Sequence, residues 1–261
     1  MRKFLSGIYK KLTHSFLQQK KWRQFQQELK HYVNEMNSME DPWSAEIDKD
    51  IYARQLASLL NSSEKKYKIL EVGCGQGSLT KLLLPFAKKI TAIEISQQAF
   101  VQLRKKWSSS TPTDSQLVEP QSHSQFADSQ VAPQNNSQNE NFNLDSLLQN
   151  NKLELIESDI HQFFPQTEKY DLIVLSFILD YLGFNKFPQK FIQLMWQFTE
   201  HVEDGGKILI IHPVYKQADL HRLKAFTEIF KNFHIQIEKA STEQSSGGFP
   251  IHFILCAKYP Q

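Results

Sequence analysis

Cysteine, metal-ligand clusters and long apolar runs are scarce or absent in this sequence. Two cysteines, Cys74 and Cys256, are too few for a disulfide framework, and no CxxC pair or Cys/His cluster predicts a metal site. No run of about 18 apolar residues predicts a membrane span. Lys10 and Lys11 interrupt the apolar start too early for a secretory signal. These absences predict a cytoplasmic protein.

Two segments contain little or no charge of one sign. Residues 1–34 have eight Lys or Arg and one Glu, a net charge of +7, whereas residues 108–150 have five acids and no Lys or Arg. The basic segment makes RNA or an anionic membrane surface a candidate partner, although a solvated helix face explains the same charge. Residues 108–150 are rich in Ser, Gln, Asn and Pro, a composition that predicts a disordered insert.

Apolar residues in the first 60 positions recur at helical spacing. Trp22, Phe25, Leu29 and Val33 lie three or four residues apart, which predicts an amphipathic helix, and residues 51–60 predict another. We therefore expect a helical extension at 1–60 and a second domain at 61–261, interrupted by the insert.

Strands alternate with helices through the second domain. Helices are predicted at 79–86, 97–107, 189–201 and 218–231, the third closed by a turn at 204–206, and strands at 68–72, 90–95, 153–157, 172–176, 207–212, 235–239 and 251–257. Ser-Gly-Gly-Phe-Pro between the last two strands predicts an antiparallel hairpin. The pattern predicts an α/β fold with a Rossmann-like, doubly wound, mostly parallel sheet of seven strands, the last antiparallel.

Three glycines follow the first predicted strand in LEVGCGQGSLT, at 73, 75 and 77. The loop lacks the lysine of a Walker loop, and its GxGxG spacing differs from the GxGxxG of a dinucleotide loop. Glu71 lies inside the strand, which disfavours a pyrophosphate on this turn and favours a ligand that carries positive charge. The backbone is therefore predicted to approach a cationic ligand.

These residues resemble the first motif of the class I S-adenosylmethionine-dependent methyltransferases, an acid followed by GxGxG. Glu94 in ITAIEIS resembles the second motif, whose acid binds the ribose hydroxyls, and Asp159 in LELIESDIHQF resembles the third, whose acid contacts the adenine amine. YDLIVLSFILDYL matches the fourth in position. The resemblance implies S-adenosylmethionine as cofactor and a set of cofactor-binding residues, namely Glu71, Gly73, Gly75, Gly77, Glu94, Ile95, Asp159, Ile160 and Ser176.

Simpler interpretations of the three acids stay open. Glu94 could be a solvated acid at a strand end, Asp159 could cap a helix, and Glu71 could be a structural hydrogen-bond partner for the amides of the glycine loop. The resemblance also implies that the N-terminal helices fold over the cofactor as a lid, with Trp43 or Tyr52 near the opening; plain packing is the alternative for these two aromatics.

The methyl acceptor is weakly encoded. The fourth motif lacks both the Asn/Asp-x-Pro-Phe/Tyr of nucleic-acid amine methyltransferases and a Pro-Cys nucleophile, whereas GGKILIIHP resembles enzymes that act on small molecules. Asp180 and His212 are candidate catalytic residues that contact the acceptor; a loop acid and a locally bonded histidine are the alternatives. We expect methyl transfer to an O, N or C atom of a small molecule. RNA or protein methylation and a non-catalytic cofactor-binding scaffold are the alternative functions.

Overall fold

A computed structural model describes residues 2–38, 48–60, 65–108, 143–164, 168–179, 181–183, 186–215 and 217–259. Most of the predicted insert, at 109–142, lies outside the described residues, as do Trp43 and Asp180. No described helix combines the length and the apolar character that a membrane span requires.

A seven-stranded sheet forms the centre of the fold, in the order β3-β2-β1-β4-β5-β7-β6. β7 is antiparallel to both of its neighbours, β5 and β6, and the other pairs are parallel. This confirms the predicted fold class. The strands are β1 Tyr67–Val72, β2 Ala87–Glu94, β3 Leu153–Glu157, β4 Tyr170–Ser176, β5 Val202–Pro213, β6 Ile235–Gln244 and β7 Pro250–Lys258.

Helices cover both faces of this sheet. They are α1 Arg2–Ser38, α2 Lys49–Leu60, α3 Ser78–Leu83 with a 3-10 turn at Leu84–Phe86, α4 Gln97–Ser108, α5 Leu144–Gln149, α6 Ile160–Phe163, α7 Pro188–His201 and α8 Gln217–Lys231. The N-terminal helical extension is therefore present, and α1 is one continuous helix of 37 residues.

The central strands are largely apolar because both faces of the sheet are buried. Alternate residues of β4 enter two separate cores: Leu172 packs on the side of α2, α3 and α4, whereas Ile173 packs on the side of α7 and α8. Ile69 and Leu70 of β1 divide in the same way. Side chains of a strand point alternately to its two faces, so a doubly covered strand needs no polar face.

Two boundaries differ from the sequence expectation. The predicted turn at 204–206 lies inside β5, where Gly205 has a φ of 74° and pairing with β4 shifts between Val202 and Lys207. The glycine lets the strand bulge rather than end. At the end of the predicted insert, Leu144 and Leu147 of α5 are buried in the core, so this part of 108–150 is folded.

Candidate active site

The glycine loop leaves β1 and turns back under β2. The N–H groups of Gly73 and Cys74 both donate to the carbonyl oxygen of Ile93, at 2.8 and 3.1 Å. Gly75 has a φ of 52°, and a Cβ added there would meet nothing within 4 Å. Open space beside a bare backbone is what a closely approaching ligand requires.

Gly77 serves the packing of two helices instead. It caps the N-terminus of α3 with a φ of 80°, and an added Cβ would lie 2.8 Å from Leu103 Cδ1 of α4. Unlike Gly73 and Gly75, it does not line the cavity described below. The third glycine therefore allows α3 and α4 to approach, and a ligand contact by its backbone stays a prediction.

We expect Gly77→Ala to lower the free energy of unfolding by about 2–4 kcal/mol, because the alanine is strained at this φ and overlaps Leu103. Urea unfolding followed by circular dichroism measures the loss. Gly248→Ala is a matched control, since Gly248 has the same φ of 80° and no atom within 4 Å of an added Cβ. Equal losses in the two variants would show that contact with α4 does not matter.

Glu94 ends β2 and is 5% exposed. Its Oε2 accepts from the N–H of Gly75 at 3.0 Å, and its Oε1 accepts from the N–H of Ser96 at 2.9 Å. Burial raises the pKa of Glu94, although these N–H groups oppose the rise. The carboxylate therefore holds the glycine loop in place and also lines the cavity, which excludes the solvated strand end as an interpretation.

Glu71 is a buried carboxyl group with an unsatisfied oxygen. It is 1% exposed, and its Oε2 has no hydrogen-bond partner among the described residues. Burial raises the pKa of Glu71 to about 7, and the nearby charge of Glu94 adds to this effect. An orphaned oxygen in a cavity wall is a site where a cationic ligand group would restore the missing interaction.

Asp159 follows β3 and caps α6. Its Oδ1 accepts from the N–H of His161 at 2.9 Å, so the helix-cap interpretation is correct. Its Oδ2 accepts from the side-chain amide of Gln26 on α1. The carboxylate also lines the cavity, so a ligand amine would bind at this oxygen in place of the Gln26 amide.

Helix α1 crosses the carboxyl ends of β2 and β3. Three polar side chains spaced four residues apart hold it there. Gln26 donates to Asp159, Lys30 forms a 3.1 Å ion pair with Glu157, and Asn34 accepts from the Ser96 hydroxyl at 2.7 Å. Residues four apart lie on one helix face, so α1 is fixed along this edge of the sheet.

The cavity lies between α1 and this edge, with a volume of about 160 Å³. Trp22, Phe25, Leu29 and Val33 line it from the α1 side, so this part of the extension covers the site. Tyr52 does not line the cavity; it is buried, with its ring 5.2 Å from the ring of Phe253.

The end of β4 forms another wall of the cavity. Ser176, Phe177 and Tyr181 line it. Phe177 has a φ of 57°, a conformation that is rare outside glycine, and its N–H donates to the Ile211 carbonyl at 3.0 Å. Strained backbone of this kind is common at functional sites because the surrounding structure must enforce it.

The structure brings most of the predicted cofactor-binding residues to one cavity. Those that line it are Glu71, Gly73, Gly75, Glu94, Ile95, Asp159, Ile160 and Ser176. His212 does not line it: the side chain is 4% exposed at the end of β5, within the sheet. A contact between His212 and an acceptor therefore gains no support from the geometry. Asp180 lies outside the described residues.

His161 lines the cavity and was not predicted from the sequence. Its Nε2 has no hydrogen-bond partner among the described residues, and the Trp22 ring lies edge-on with 4.6 Å between centroids. Burial lowers the pKa of His161 to about 4, against the pull of the Asp159 charge, so the ring is neutral at pH 7. Only its position two residues after Asp159 could have suggested it.

These residues fit S-adenosylmethionine. Glu71 offers an unsatisfied carboxylate oxygen to a cation, Gly75 leaves space beside the backbone, and Asp159 already binds an amide donor. In the described part of the chain, no three His, Cys, Asp or Glu side chains are placed to hold a metal ion.

A mostly parallel sheet with this strand order and an antiparallel β7, a glycine loop after β1, and carboxylates at the end of β2 and after β3 define the class I S-adenosylmethionine-dependent methyltransferases. A family model described as a methyltransferase domain matches residues 44–242. The chain belongs to this family, and S-adenosylmethionine is its cofactor.

Two solved structures show how far the fold is shared. The N-methyltransferase NodS from Bradyrhizobium japonicum WM9, in complex with S-adenosyl-L-homocysteine, is 16% identical over 89% of this chain and 99% of that one, with a TM-score of 0.61. Magnesium protoporphyrin IX methyltransferase from Synechocystis PCC 6803, with bound S-adenosylmethionine, is 12% identical over 90% of this chain and 97% of that one, with a TM-score of 0.54.

One curated relative matches locally. The ribosomal RNA small subunit methyltransferase A of Fusobacterium nucleatum subsp. nucleatum is 55% identical over 42 residues, which is 16% of this chain and 16% of that protein. This match is too short to carry over what that protein acts on.

Proposed function

We propose that this methyltransferase transfers the methyl group of S-adenosylmethionine to a small molecule bound beneath α1. The observation that carries the proposal is one cavity that combines the glycine loop, three carboxylates and a helical cover. In this proposal Glu71 and the loop hold the methionine part of the cofactor, Glu94 binds the ribose, and Asp159 binds the adenine amine once Gln26 yields it.

When bound, the cofactor would supply a methyl group on a sulfonium; an acceptor lone pair would attack the methyl carbon in line as the carbon–sulfur bond breaks, and S-adenosylhomocysteine would leave. The chain's part is to align the two reactants and to exclude water. The apolar residues of α1 and the end of β4 form dry walls, and the backbone strain at Phe177 fixes one of them. Asp180 stays a candidate acceptor contact because its neighbour Tyr181 lines the cavity.

A small acceptor is supported by the cover itself and by the fold shared with NodS and with magnesium protoporphyrin IX methyltransferase. RNA is the second candidate, supported by the basic N-terminal segment. A cytoplasmic location is supported by Cys74 and Cys256, which are both free and buried.

We expect S-adenosylhomocysteine to raise the thermal midpoint of the purified protein. A ligand that binds only the folded state stabilises it by about 2.7 kcal/mol at a hundredfold excess over its dissociation constant. Differential scanning fluorimetry measures the shift, with adenosine and homocysteine tested singly as controls. The absence of any shift at millimolar ligand would contradict the cofactor site.

A further inference from the structure

The residues around the cavity divide into two groups by their place in the chain. Glu71, the glycine loop, Glu94 and Asp159 lie inside the matched methyltransferase domain, residues 44–242. Trp22, Phe25, Leu29 and Val33 belong to α1, which ends at Ser38 and lies wholly outside that domain. The matched domain therefore supplies the residues proposed to bind the cofactor, which all methyltransferases of this family share. Helix α1 lies outside that domain and can contact the methyl acceptor, which differs between these enzymes.

The charged residues that line the cavity restrict which methyl acceptors can bind there. Among the described residues that line it, the charged side chains are Glu71, Glu94 and Asp159, and none is Lys or Arg. Arg23 and Lys30 line an adjoining outer groove that shares Asp159 with the cavity, and Lys30 is paired there with Glu157. Lys186 holds its Nζ 5.2 Å from the centroid of the Phe25 ring but does not line the cavity.

An anionic acceptor would be poorly placed in such a cavity. Bound S-adenosylmethionine has one carboxylate, one ammonium and one sulfonium group, a net charge of +1, which suits three carboxylates. A further anion would lose its hydration and gain no cationic side chain in exchange. A neutral or cationic acceptor does not meet this cost.

The side chains of the α1 surface add a second restriction. Four of its six cavity-lining residues are apolar, namely Trp22, Phe25, Leu29 and Val33, while the other two, Gln26 and Asn37, are polar and uncharged. Leu29 and Val33 are half-buried without a ligand. Burying the remaining apolar surface favours an acceptor with an apolar body.

We propose that Trp22, Phe25, Leu29 and Val33 of α1 bind the methyl acceptor, and that this acceptor is an uncharged or cationic small molecule with an apolar body. This inference rests on the proposed function, because it takes the cavity to hold cofactor and acceptor together.

The test begins with a whole cell extract, incubated with the enzyme and methyl-labelled S-adenosylmethionine and then divided into protein, RNA and small molecules. The labelled small-molecule product is separated from unreacted S-adenosylmethionine by reversed-phase chromatography and applied to an anion exchanger at pH 8. The expected result is label in the unretained fraction, which holds neutral and cationic products. Label retained on the exchanger overturns the inference.

Variants of α1 give the second readout, with the purified labelled acceptor as substrate. Leu29→Ala should raise the acceptor KM about tenfold through lost apolar burial. Its affinity for S-adenosylhomocysteine should fall less than this, since Glu71, Glu94 and Asp159 remain in place; an equal loss would place Leu29 against the cofactor instead of the acceptor. Tyr32→Ala is the control on the same helix, because Tyr32 is 44% exposed and does not line the cavity.

The outcomes distinguish a failure of the proposed role of α1 from a failure of the proposed function. An acceptor KM that Leu29→Ala leaves unchanged overturns the role of α1, while label and cofactor binding still support the proposed function. Label that enters only RNA or protein overturns the small-molecule acceptor altogether. A protein that neither transfers label nor binds S-adenosylhomocysteine contradicts the proposed function itself.

Discussion

Replacing Glu94 with alanine is expected to weaken the binding of S-adenosylhomocysteine by about 10- to 100-fold, equivalent to about 1–3 kcal/mol. Two causes act together. The variant loses the proposed charge-assisted hydrogen bonds to the ribose. It also leaves the N–H groups of Gly75 and Ser96 without their acceptor, so the glycine loop loses the contact that shapes it. Isothermal titration calorimetry measures the affinity.

Glu157→Ala is the matched control for this variant. Glu157 is the register partner of Glu94 on the adjacent strand, also a glutamate at a strand end, but it is exposed and paired with Lys30. An exposed ion pair contributes about 0–1 kcal/mol, so Glu157→Ala should change the affinity only slightly. An affinity that Glu94→Ala leaves at the wild-type value would remove Glu94 from the cofactor site.

The features that could be predicted from the sequence are those in which neighbouring residues determine the structure. The strands were found because runs such as Leu172–Leu175 of β4 are apolar on both faces, as burial in a doubly covered sheet demands. Glu94 and Asp159 were predicted from the resemblance to the family's second and third motifs, and the fold brings them together because the carboxyl ends of adjacent parallel strands meet at one edge of the sheet.

The features that were missed depend on how distant elements meet. The spacing of Trp22, Phe25, Leu29 and Val33 predicted a helix, but nothing local showed that this stripe would face a cavity or that Gln26 would reach Asp159, 133 residues away. The role of Gly77 follows from the position of Leu103 on another helix, which no loop motif encodes.

His212 shows a different kind of limit. The His-Pro at the end of β5 suggested a contact with the acceptor, but β5 lies beyond β4 from the glycine loop, and β7 pairs with it as far as Pro213. The His212 side chain is 4% exposed and does not line the cavity, so its contact with an acceptor stays a prediction. A motif at a strand end does not encode which strand ends the cavity reaches, because that depends on how α1 packs across the sheet.

Glu71→Gln is expected to stabilise the unliganded protein at pH 8 by up to about 3 kcal/mol, because it removes a carboxylate that is costly to ionise in the folded state. The pKa of Glu71 is raised from 4.5 to about 7 in the fold. Between these values the folded state binds more protons than the unfolded one, so wild-type stability falls as pH rises through this range. Urea unfolding at several pH values measures the effect.

The difference between wild type and Glu71→Gln isolates this group, since burial also raises the pKa of Glu94. The two proteins should have similar stability at pH 4, where Glu71 is protonated, and should diverge up to pH 8. Glu154→Gln is the control, because Glu154 is half-exposed and paired with Lys89 at 2.7 Å. A gap that does not widen with pH would contradict the raised pKa.

Cofactor binding should respond to the same variant in the opposite direction. The ammonium group of a ligand beside Glu71 favours the ionised carboxylate, so wild-type affinity for S-adenosylhomocysteine should rise as pH increases through about 7. Glu71→Gln should bind more weakly at pH 8 and should lose this pH dependence, although it is the more stable protein. The expected pattern is that Glu71 lowers the stability of the folded protein but raises its affinity for the cofactor. If Glu71→Gln instead raises both stability and affinity, Glu71 has no part in binding the cofactor.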